Sequence, residues 1–142
     1  DKAEQVARLR PDRIVVGADT VVVLDGGILG KPADERDAAR MLTLLQGREH
    51  TVMTGVWVCA PGRADGFVEQ ADVSFYPMTR REIEEYVHTG EPMDKAGAYG
   101  IQGYGSMFVS HLDGDYFCVM GLPVCTLAGM LRDAGVRILG QA

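Results

Sequence analysis

The chain reads as a mixed α/β domain, more antiparallel than doubly wound, because helix-period segments alternate with hairpins. No internal repeat, linker or low-complexity tract interrupts that alternation. A length of 142 residues suits one domain, residues 1–142, with one sizeable core.

The opening "DKAEQVARL" reads as helix already under way, with Ala3, Val6, Ala7 and Leu9 on one side and no capping residue ahead, as in a fragment. Arg13 to Val16 reads as a short strand and Thr20 to Leu24 as a second. The "DGG" at 25–27 tolerates positive φ, so a hairpin returning through Ile28 and Leu29 is expected. Asp34 suits the N-cap of a helix from Glu35 to Gln46, with Ala38, Met41, Leu42 and Leu45 at helical spacing and Gly47 as its stop. The β-rich runs 50–60 and 66–77 read as a long antiparallel pair joined by the polar turn "PGRAD". Thr79 and Glu82 form a capping box for the helix "RREIEEYVHTG", with Ile83, Tyr86 and Val87 facing inward. Gly90 to Gly105 breaks the rhythm with five glycines in sixteen residues. The stretch 106–121 is expected to be a hairpin around Asp113-Gly114, with Asp113 and Asp115 serving its turn. "LPVCTLAGMLRDAG" closes the chain as a helix ending at Gly135. Trp57, Phe75 and Phe108 are assigned to the core, and His50, His88 and His111 to strand or surface positions without metal-ligand spacing.

Composition excludes several classes. An apolar fraction of 46% with 24% charged residues is that of a folded, soluble domain. No apolar run reaches the length of a membrane span, and the first residues are not those of a signal peptide. A net charge of −6 and the absence of any Lys/Arg block argue against nucleic acid as a partner. The three cysteines, Cys59, Cys118 and Cys125, lie in apolar runs without C-x-x-C spacing, which predicts buried reduced thiols and a cytoplasmic location. An acidic protein can still bind a small polyanion through a few local cations and a divalent metal.

The chemistry gathers in three places. Asp19, at a strand end between valine-rich flanks, is desolvated unless it meets a cation or hydrogen-bond donors. Taken alone it serves equally well as the cap of a neighbouring turn. Lys31 follows a glycine turn in "GGILGK", which fails as a P-loop: the first glycine stands one residue too close, and Pro32 replaces the Ser/Thr that would hold magnesium. Alone, Lys31 reads as a solvated turn lysine, but a hairpin of this size can return it toward Asp19. The segment "GEPMDKAGAYGIQGYG" carries Asp94, Lys95, Tyr99 and Gln102 on a glycine-rich backbone with apolar content, a candidate for holding phosphate and reading a base edge.

Together "GADTVV", "ILGKP", "MLTLLQGREHTVMTGV", "DKAGAYGIQG" and "GLP" resemble the Maf family of nucleotide pyrophosphatases, in the family's order and over essentially the whole chain. The resemblance implies a fold similar to inosine triphosphate pyrophosphatases: a long, mixed, largely antiparallel sheet flanked by helices, a cleft between two lobes, and often a homodimer. It implies hydrolysis of nucleoside triphosphates to monophosphate and pyrophosphate with a divalent metal, Mg²⁺ or alternatively Mn²⁺. By motif, Asp19 matches the proton acceptor that activates water, with metal ligation as its other open role. Lys31 and Lys95 match phosphate ligands, and Lys2 matches a lysine near the phosphates. Thr20 and Gln102 fall at positions associated with nucleobase choice, and the pairing of Thr20 with "IQG" resembles the branch acting on dTTP and UTP. Family members open with a Ser-x-Ser-Pro-Arg-Arg segment and carry an acidic residue before the first helix here, so the resemblance implies a domain truncated at its N-terminus. The rival readings are a non-catalytic nucleotide-binding module, a pyrophosphatase for a modified nucleotide, and a structural interaction domain.

Overall fold

In the computed structural model, which describes residues 2–140, five strands form one sheet in the order β2-β1-β3-β4-β5, and every ladder is antiparallel. The strands are β1 (Val15–Leu24), β2 (Gly27–Leu29), β3 (Glu49–Ala60), β4 (Arg63–Phe75) and β5 (Val109–Asp113). The helices are α1 (Lys2–Leu9), α2 (Glu35–Leu45), α3 (Arg80–His88), α4 (Tyr116–Met120) and α5 (Val124–Asp133). Asp1, where the expected first helix begins, lies outside the described residues.

The long β3–β4 hairpin organises the rest. Along β3 the alternate residues His50, Val52, Thr54, Val56 and Val58 are all buried, so one face of the sheet is the core face throughout. At one end it packs Val22, Val52 and Val73 against α2, α3 and the glycine-rich segment. At the other end Val56 and Val58 meet Leu127 of α5. The helix boundaries follow their caps. Asp34 accepts the Asp37 amide at 2.7 Å at the start of α2. The Thr79–Glu82 box closes both ways at the start of α3.

Six expectations are corrected. The two strands read at 13–16 and 20–24 are one strand, β1. Gly17 does not break it; the missing side chain lets Ala3 of α1 dock, since a Cβ there would stand 2.8 Å from the Ala3 Cβ. Only Ala3 of α1 is buried, whereas Val6 and Leu9 are exposed. The second arm expected at 106–121 is the short helix α4, because Asp115 caps it by accepting the Phe117 amide. Cys125 is exposed, while Cys59 and Cys118 are buried. Trp57 is also half out of the core: its ring lies across Gly55 and Gly66, where added Cβ atoms would stand 2.7 and 2.9 Å from it. The turn between β3 and β4 is tighter than "PGRAD", with Pro61 and Gly62 alone between the strands and Gly62 at φ 73°. Among the described residues no helix is long and apolar enough to cross a membrane.

Candidate active site

A cavity of about 460 Å³ opens beside the middle of β1. Asp19, Thr20, Lys31, Lys95 and Gln102 all line it, so the fold brings together five of the six residues singled out in the sequence. Lys2, the sixth, sits exposed on α1 and is not among the lining residues.

Three backbone segments build the cavity. The first is β1. Asp19 pairs with Gly55 and Thr20 with Thr54, so the two side chains point to opposite faces of the sheet. Both still reach the cavity because β2 pairs only with Val22 to Leu24 and leaves the β1 edge open beyond. Asp19 therefore stands in mid-strand and exposed, not at a desolvated strand end as its apolar flanks suggested. Its oxygens are available to a ligand and not consumed by a turn.

The second segment is the turn after β2. Asp25 and Gly26, both at positive φ, reverse the chain, and the hairpin carries Gly30 and Lys31 back past Val22. The third is the glycine-rich stretch, which folds as three short 3₁₀ turns, Glu91–Asp94, Ala96–Ala98 and Tyr104–Phe108. The Gly97 amide donates to the Gly30 carbonyl at 3.1 Å, which fixes the two lysine-bearing segments side by side. Gly97 also rests directly on β1; a Cβ there would lie 2.7 Å from Val22 Cγ2. Lys95 Nζ is held by Asp94 at 2.8 Å and by the Glu91 carbonyl at 3.4 Å. The hydrogen bond from Lys95, with the charges of Lys95 and Lys31, holds the Asp94 carboxyl below the usual carboxylate range.

The shape of that stretch depends on Glu91, a residue the sequence reading passed over. Its carboxylate accepts from the Tyr86 hydroxyl and from the Tyr104 and Gly105 amides, both at 2.9 Å. The Tyr86 oxygen in turn accepts the Gly100 amide at 3.0 Å. Burial raises the Tyr86 phenol, and the bond to Glu91 adds to it, so the hydroxyl remains a donor. Burial would raise Glu91 too, but its hydrogen bonds and the charge of Lys95 together hold it below the ordinary value. A part-buried ring of donors around one acid is thus the frame on which Gln102 is displayed.

The far wall comes from α4, through Val119 and Met120. That helix is fastened to the sheet at Cys118. The Thr54 hydroxyl donates to the Cys118 carbonyl at 2.8 Å, and the Cys118 thiol donates to the Glu69 carbonyl at 3.4 Å. Burial pushes the thiol up, which keeps it protonated for that role. The signal for Thr54 was present in the sequence as the one hydroxyl in an otherwise apolar alternation along 52–58.

A carboxylate, two lysines and a glutamine amide around a cleft between strand and glycine-rich loop can take a phosphorylated ligand with a polar ring. The model of the family described as Maf-like protein matches residues 1–134, and the chain belongs to the Maf family. Among its relatives are three proteins named dTTP/UTP pyrophosphatase. The one from Bacillus pumilus (strain SAFR-032) is 50% identical over 135 residues, 95% of this chain and 71% of the relative. The one from Koribacter versatilis (strain Ellin345) is 52% identical over 136 residues, 96% and 70% of the two chains. The one from Bacillus cereus (strain AH187) is 46% identical over 137 residues, 96% and 72%.

Proposed function

We propose that the protein hydrolyses dTTP and UTP to the monophosphate and pyrophosphate, at the cavity beside β1. The observation that carries the reading is the convergence of Asp19, Lys31, Lys95 and Gln102, from separate segments, on one cleft. Water attacks the α-phosphorus, and the bond to the bridging oxygen of pyrophosphate breaks. Asp19, exposed and free of structural duty, takes the proton from that water. Lys31 and Lys95 face the charge that accumulates on the leaving pyrophosphate. Gln102 offers an amide N–H and a carbonyl to the O4 and N3–H edge of the base.

A divalent metal belongs to the same reading. Among the described residues no group of three or more His, Cys, Asp or Glu side chains converges. The donors at the cavity are hard carboxylate oxygens, and Asp94 is already paired with Lys95. That set fits Mg²⁺, which is commonly held by one or two carboxylates together with substrate phosphates; ligation by Asp19 is the alternative to its role as base. The metal, when bound, would neutralise phosphate charge and lower the pKa of water. The cysteines, unpaired among the described residues, suit a cytoplasmic setting. Assembly as a homodimer follows from family resemblance alone and is checked by sedimentation.

The test is the product. Phosphorus NMR of dTTP turnover with Mg²⁺ is expected to show pyrophosphate and dTMP, with dTTP and UTP well ahead of dCTP and the purine triphosphates in kcat/KM. Release of orthophosphate and dTDP would overturn the site of cleavage. An unchanged substrate ranking in Gln102→Ala would remove Gln102 as the base reader.

A further inference from the structure

Thr54 is fully buried and touches no part of the cavity, yet it determines what Thr20 presents there. Two oxygen–oxygen contacts meet at its hydroxyl: 2.8 Å to the Cys118 carbonyl and 2.8 Å to Thr20 Oγ1. At such distances each contact requires a proton between the oxygens. A carbonyl has none, so the single Thr54 proton must point at Cys118. The Thr20–Thr54 contact is then bridged by the proton of Thr20. The chain of donation runs one way only, from Thr20 to Thr54 to the Cys118 carbonyl. Thr20 has spent its hydrogen on the protein, and toward the cavity it offers lone pairs alone.

We infer that Thr54 is a specificity-determining positioning residue, which fixes Thr20 as an acceptor and so selects bases that carry a ring N–H. This rests on the reading of the cavity as a dTTP and UTP site. Thymine and uracil carry a proton at N3, which Thr20 shares with the Gln102 carbonyl in a three-centre bond, whereas cytosine places a bare nitrogen there. Against an acceptor-only Thr20 that nitrogen meets lone pair with lone pair. Turning the Thr20 hydroxyl around to donate would leave the part-buried Thr20–Thr54 contact without its proton. Guanine shares the ring N–H donor, so Thr20 does not discriminate against it.

The experiment compares kcat/KM for dTTP and dCTP in the full native chain, for wild type, Thr54→Val and Thr54→Ser. Valine keeps the shape and removes the acceptor, which frees the Thr20 hydroxyl to donate. The dTTP-to-dCTP ratio is expected to narrow about tenfold in Thr54→Val, in line with the loss of one enforced hydrogen-bond mismatch, and to stay within about twofold of wild type in Thr54→Ser. A purely structural Thr54 lowers both substrates alike, and an unchanged ratio in Thr54→Val overturns the inference. If the valine variant does not fold, Thr20→Val puts the same question by removing the enforced acceptor itself. The dTTP-to-dCTP ratio is expected to narrow about tenfold there too, and an unchanged ratio overturns the inference. A wild type with no preference for dTTP over dCTP is a separate result, which defeats the substrate reading itself and this inference with it.

Discussion

Lys31 owes its position to its neighbour's backbone. The Gly30 carbonyl accepts the Gly97 amide, and this one bond sets the turn lysine beside the loop that carries Lys95. An ammonium held there meets phosphate oxygens in both the bound substrate and the transition state. Lys31→Ala is therefore expected to raise KM and lower kcat together, each by about tenfold, in steady-state assays with dTTP. Unchanged kinetics would make it a solvated turn lysine. The residues of the site were largely legible in the sequence as types, and their company was not. Asp19, Lys31 and Gln102 stood out as polar groups in apolar or glycine-rich surroundings. Thr54 showed only as a lone hydroxyl in an apolar alternation and Glu91 only as a loop acid, because their roles come from partners distant in sequence, Cys118 for one and Tyr104 and Gly105 for the other.

At the scale of elements, the glycine-rich segment is not a flexible linker but a shape that side chains would destroy. A Cβ on Gly103 would stand 1.6 Å from Glu91 Oε1, so alanine cannot enter unless the acid leaves its donors. Gly103→Ala is expected to destabilise the fold by about 1 kcal/mol in denaturant titrations, the net worth of a lost part-buried hydrogen bond. It should also lower kcat/KM, since Gln102 is the adjacent residue. Glu91→Gln keeps the volume but replaces one acceptor oxygen with a donor, and the same loss of stability is expected. Wild-type stability in both variants would show that the Glu91 frame is incidental. Capped helices and the β3–β4 hairpin were readable because their signals are local: Asp34, the Thr79–Glu82 box, and the alternation along β3. The continuity of β1 was not, since what permits Gly17 in a strand is the docking of Ala3 from another element. Nor was α4, whose apolar residues suit a strand equally well until Asp115 caps the turn.

For the molecule as a whole, acid is the direction of weakness. His50 is 3% exposed, bonded through Nε2 to the Tyr99 hydroxyl at 2.7 Å and packed edge-on against Phe75 and Tyr99. Burial holds its imidazole down to about 4 from an ordinary value of 6.5, against a smaller opposing pull from Asp72. Above pH 6.5 the ring is neutral folded or unfolded, and its contribution to stability is complete. As pH falls from 6.5 toward 4, the unfolded chain takes up a proton that the folded protein refuses, and about 3 kcal/mol is lost. Chemical denaturation across that window is expected to show this slope in wild type and a shallower one in His50→Gln; equal slopes would remove His50 as the cause. The central claim concerns the cavity, and the most direct measurement is pyrophosphate release from dTTP by Asp19→Asn at saturating Mg²⁺, with its thermal unfolding recorded beside wild type. The amide preserves shape in an exposed strand position but cannot take a proton from water. Turnover is expected to fall by a factor of about 10²–10⁴ with the melting temperature unchanged. Turnover near that of wild type would contradict the assignment of this cavity as the hydrolytic site.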